Sequence, residues 1–104
     1  MPSRLATCKQ SNADFIEAHQ FWALEADKAL SLQRDDLATA FSAQSELAWQ
    51  HLKALTNFRD TFPDPDHAPD RIWQSFIVNM INYLDAADDV FQLGEDEHWG
   101  AITK

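Results

Sequence analysis

A chain of 104 residues with 45% hydrophobic and 24% charged side chains and only two glycines has the make-up of one folded domain, which excludes a disordered or low-complexity segment. Its net charge of −9 lies in the second half: residues 1–59 hold seven acids and six bases, and residues 60–97 hold ten acids and Arg71 alone. A surface of that sign repels phosphate, which argues against direct binding to nucleic acid or to an anionic membrane.

The first ten residues, MPSRLATCKQ, contain no apolar run of signal-peptide length, and no window approaches the roughly 20 apolar residues of a membrane span. Residues 1–10 read as a flexible N-terminus, and the cytoplasm is the expected location. Cys8 is the single cysteine, so no internal disulfide and no Cys-x-x-Cys pair can form. It precedes the first expected helix with no base or cationic cluster nearby, so nothing supports an activated thiolate.

Ser11 with Asp14 three residues later forms a helix-start signal. From there Phe15/Ile16, Trp22/Ala23 and Ala29/Leu30 recur every seven residues, which predicts an amphipathic helix over about 12–33. Arg34 and Asp35 make a short link, and Asp35 or Asp36 caps a second helix over about 36–61. Its stripe is Leu37, Phe41, Gln44, Ala48, Leu52, Leu55, Phe58 and Phe62, at three- and four-residue steps. So short a link favours an antiparallel hairpin.

The segment FPDPDHAPD cannot continue a helix, and Pro69 suits the first position of a third helix over about 69–92. Gly94 reads as a left-handed stop, followed by a tail over 94–104 that carries an isolated Trp99. No repeat and no alternating strand pattern occurs. The fold class is therefore all-α, an antiparallel helical hairpin plus a third long helix.

That third helix, with its run IWQSFIVNMINYL, is more apolar than a small bundle requires. At about 100° per residue, Ile72, Tyr83, Phe76, Ala87, Met80, Trp73, Leu84 and Ile77 span roughly 140°, and Ile81 widens the arc to about 180°. A stripe of about 100° suffices for a surface helix. Filling the groove of the hairpin accounts for much of this breadth. Phe21, Leu24 and Leu32 on the first helix and Trp49 on the second also fall off their stripes. Together they suggest a contiguous apolar patch, which usually marks association. Aromatic anchors such as Trp49 and Trp73 are the type whose truncation at an interface often costs about 2 kcal/mol or more.

Catalytic and metal sites find little support. The four histidines, His19, His51, His67 and His98, sit on separate elements, and no two share the i, i+4 face of helical metal motifs. His19 and His51 fall near the stripes and could approach each other across the hairpin, which leaves a metal or haem site as a minor reading. Asp64-Pro-Asp66-His67 and Glu95-Asp96-Glu97-His98 lack the glycine and bidentate glutamate of an EF-hand loop and read as solvated acid. Neither glycine belongs to a phosphate-cradling loop. No enzymatic activity, cofactor or metal is expected.

A compact acidic helical chain of this length with the late helix RIWQSFIVNMINYLDAADDVF resembles small bacterial quorum-sensing anti-activators, which bind LuxR-type transcription regulators. The resemblance is one of overall build over the three helices and carries over no individual residue. It implies a partner's ligand-binding or dimerising portion as the target, with loss of that regulator's DNA binding. Toxin-immunity proteins and phage inhibitors are similar in build.

The expected function is inhibition or sequestration of a protein partner by occlusion, with homodimerisation. Trp73, Ile77, Ile81 and Leu84 are the candidate contacts, helped by Trp49 or Phe21. The alternative is an acidic nucleic-acid mimic that uses residues 60–97.

Overall fold

The computed structural model describes residues 3–103. Among them there is no strand, and three long helices pack into a rod about 48 × 20 × 19 Å. The long helices are α1 (Arg4–Ser31), α2 (Asp35–Thr61) and α3 (Asp70–Asp96), with a single 3-10 turn at Pro65–His67 and a last short helix, α4 (Trp99–Ile102).

The first helix begins at Arg4, well before the expected start at residue 12, so most of the segment expected to be flexible is helical. Met1 and Pro2 lie outside the described residues. The cap is Ser3, whose Oγ accepts from the Ala6 N–H at 3.1 Å. Ser11 instead lies inside the helix, buried against Met80 with its Oγ 3.9 Å from Sδ. Cys8 and Ser11 continue the stripe of Phe15, Trp22, Ala26 and Ala29 backwards at three- and four-residue steps, which gives the early turns a face to bury. Arg4 anchors the start: its guanidinium donates to the carbonyls of Pro65 and Ala68 and to Asp70 at 2.7 Å, and lies 5.1 Å from the Trp73 ring centre.

The heptad doublets of α1 divide cleanly. Phe15, Trp22 and Ala29 are buried, whereas Ile16 and Leu30 on the flank are exposed. Gln33, with φ of 59°, makes the left-handed turn into α2. The α2 stripe is as expected, with Leu37 to Phe58 buried and Phe62 packed against their lower end. Small side chains on the facing surfaces, Ala26, Ala29, Ala38, Ser45 and Ala48, let α1 and α2 approach closely along their length. α3 lies nearer to α2 than to α1, which leaves a wedge between α1 and α3.

Three polar links, two of them buried and the third partly so, fix the arrangement. Trp22 Nε1 donates to Tyr83 Oη at 2.9 Å, Gln44 Nε2 donates to the Tyr83 carbonyl at 3.1 Å, and Ser45 Oγ donates to the His19 carbonyl at 3.0 Å. Each joins a different pair of long helices.

The C-terminal expectations need correction. Gly94 does not stop α3; it is a buried helical residue whose bare Cα faces Trp99 Cβ, and α3 continues to Asp96. The left-handed turn is made by His98, with φ of 57°. The turn folds Trp99 back into the core beside Phe41, with ring centres 5.3 Å apart, and its Nε1 donates to Glu25 at 2.6 Å. Residues 97–103 are thus a lid on the end of the bundle rather than a tail. Lys104 lies outside the described residues.

Candidate interaction surface

The wedge between α1 and α3 is a groove of about 540 Å³. Its floor is formed by Phe15, Trp22, Tyr83 and Ala87, all buried. Phe21 on α1 and Leu84 and Phe91 on α3 rise from its walls at 44%, 51% and 53% exposure. Phe91 lies over Trp22, with ring centres 4.9 Å apart, and reaches toward Phe21 at 6.4 Å. Beyond this pair a second concavity of about 360 Å³ continues toward Glu25, Glu95 and Trp99.

The groove exists because α3 has a wider apolar arc than the hairpin can cover. Phe76, Tyr83, Ala87 and Gly94 point inward and fill the available contact with α2 and α1. Leu84 and Phe91 lie one helical step around, about 60–80° from the centre of that face, where α1 has diverged.

The six sequence-derived contact residues separate into three groups. Trp73 and Ile77 are half-buried and belong to the lower core. Trp73 packs at a tilt against Phe58 and Phe76, with ring centres 5.8 and 5.4 Å away, under the Arg4 guanidinium, and Ile77 packs against the same cluster. Phe21 and Leu84 line the groove, and Ile81, at 49% exposure, stands one turn from Leu84 on the outer edge. Trp49 is exposed but lies elsewhere. Leu47 marks the side of α2 that faces α3; Trp49, two residues on and about 200° around the helix, sits beside His19 at 5.4 Å. Sequence reasoning missed Phe91, although it follows Leu84 by seven residues and so shares its face.

The remaining reactive groups are occupied or enclosed. His19 Nδ1 lies 3.0 Å from the Ser45 carbonyl oxygen, which it approaches as a donor. His51 is wedged between Phe15 at 4.2 Å and Phe76 at 5.0 Å with neither ring nitrogen hydrogen-bonded, and burial pushes its pKa below the ordinary value. Burial raises the Cys8 thiol, against a smaller opposing pull from Arg59. Cys8 lies within α1 and not before it. Among the described residues, no group of three or more His, Cys, Asp or Glu is placed to hold a metal ion, and no helix is long and apolar enough to cross a membrane.

The rim of the groove is acidic. Asp14 and Glu17 line its α1 edge. Exposed Asp88 falls on α3 between Leu84 and Phe91, about 40–60° farther around the helix. Between Lys9 and Lys28 on α1, and from Ile72 to the end of α3, there is no Lys or Arg.

Compared with known proteins, the chain matches no family model, no curated protein and no solved structure.

Proposed function

We propose that this chain is a non-enzymatic interaction module that sequesters or inhibits a protein partner, and that the α1–α3 groove is its docking face. The observation that supports this most is the cluster of Phe21, Leu84 and Phe91, large apolar groups left half-exposed beside one another above an apolar floor. Scattered exposed apolar residues are ordinary, whereas a contiguous set lining a concavity marks association. Covering it would contribute about 25 cal/mol per Å² of apolar surface removed from water.

Inhibition would follow by occlusion, the groove engaging a surface that the target needs for its own assembly. A LuxR-type transcription regulator, the target implied by the overall build, is one protein on which such occlusion would abolish DNA binding. The test compares wild type with Leu84→Arg in capture from the native lysate, with circular dichroism on both. Wild type should retain a specific protein that the variant loses while its helicity is unchanged. Equal capture by both would overturn the reading.

A further inference from the structure

We infer that the occupant of the α1–α3 groove is a basic amphipathic helix of the partner, about four turns long. The inference rests on the groove being a docking face and adds the chemistry of what it takes.

The helical form follows from hydrogen bonding. The polar groups of the floor are already paired: Trp22 donates to Tyr83, and farther along Trp99 donates to Glu25. The walls are side chains of two helices, with no strand edge among the described residues. An extended segment laid on such a surface would bury backbone N–H and C=O groups with nothing to receive them. A helix satisfies its own backbone and offers side chains at i, i+3, i+4 and i+7, the spacing of helix-in-groove recognition. The floor and its continuation run from Ser11 to Glu25 along α1, 14 residues apart or about 21 Å, which matches a helix of about 14 residues.

The sign of the charge follows from the rim. Asp14 and Glu17 on one side and Asp88 on the other flank the apolar channel, and Glu95 stands at its far end. No Lys or Arg of α1 between residues 10 and 27 or of α3 beyond Arg71 offsets them. A second copy of this chain docked face to face would set these carboxylates against one another. Lys and Arg flanking an apolar stripe would instead meet opposite charge at a partly desolvated rim, which supports both specificity and association rate.

The test uses the full-length chain and three labelled 14-residue peptides with capped ends. One has a Leu stripe at i, i+3, i+4, i+7 flanked by Lys and Arg. The second carries Glu at every Lys and Arg, and the third is a scramble of the first. Binding is followed by fluorescence anisotropy at 0.15 M and 1 M salt, with light scattering of the protein alone. The basic amphipathic peptide should bind at least tenfold more tightly than the other two, and at 1 M salt should keep part of its affinity. Leu84→Arg and Phe91→Ser should each lower that affinity at least tenfold with helicity retained. Asp14→Asn/Asp88→Asn should narrow the gap between basic and acidic peptides.

Equal binding of the basic and acidic helices, both lost in Leu84→Arg, would overturn the charge assignment while leaving the docking face intact. Binding of the basic peptide that ignores Leu84 and Phe91, or vanishes at 1 M salt, would reduce it to general attraction to an acidic surface and overturn the inference. No peptide binding, with a dimer by light scattering that Leu84→Arg converts to monomer, would show that a second copy covers the groove. No binding by a monomer would also overturn the inference, and capture from lysate that still depended on Leu84 would then leave the function standing alone.

Discussion

Trp22 donates its indole N–H to the Tyr83 hydroxyl at 2.9 Å, deep between the two helices that form the groove. Both residues are buried, so the bond closes the floor and sets how far α3 can swing from α1. Tyr83→Phe keeps the ring but strands the indole N–H away from water. The expected loss is about 1–3 kcal/mol of unfolding free energy, the cost of an unpaired buried donor, read from urea denaturation. A loss under about 0.3 kcal/mol would mean that the indole finds another partner.

His51 gives the fold a pH dependence. Its folded-state pKa is depressed by burial from the ordinary 6.5, so in acid the unfolded chain binds a proton that the folded chain resists. The contribution is fully present above the unfolded value and is lost progressively as pH falls through it toward the folded value. Urea midpoints of the wild type should therefore drop between pH 7.5 and pH 5, and His51→Leu should show a shallower decline. Parallel curves for the two proteins would locate the acid sensitivity elsewhere.

Trp99 is a core residue on the last turn. Trp99→Ala removes the ring packed near Phe41 and the donor to Glu25, and should cost about 3 kcal/mol, within the range for large aromatic truncations. A residue on a solvated tail would change stability by less than about 0.5 kcal/mol. Thermal or chemical denaturation separates the two.

At the other end, Arg4 clamps the start of α1 to the loop before α3. Arg4→Ala should raise amide hydrogen exchange over residues 4–10 and around Trp73, which loses its cationic cover, while protection at Phe41 and Ala48 is retained. Unaltered exchange over residues 4–10 would assign their order to the buried face of Cys8 and Ser11 alone.

The α2 stripe was legible in the sequence because one face of that helix meets both neighbours, so burial and periodicity coincide from Leu37 to Phe58. The ends of the other helices were not. Ser11 and Asp14 carry the same cap-like chemistry as Ser3, and the earlier start depends on burial of Cys8 and Ser11 and on Arg4 contacts some 60 residues away in sequence. Gly94 resembles a stop but is a small residue under Trp99, a role set by a turn at His98. Among the candidate contacts, exposure at Leu84 and Phe21 follows from their position off the stripes. Trp73 and Trp49 could not be placed in that way, since a half-buried core aromatic and one on another face give the same local pattern as an anchor.

Site-specific photocrosslinking tests the docking face most directly. A benzophenone side chain is placed at Leu84, at Phe91 or at Trp49 of the full-length chain in native lysate. Adducts to one protein from positions 84 and 91, with none from 49, are the expected result. Adducts from position 49 with none from 84 and 91 would contradict the account, because the partner would then sit on the opposite flank of α2 and leave the groove uncovered.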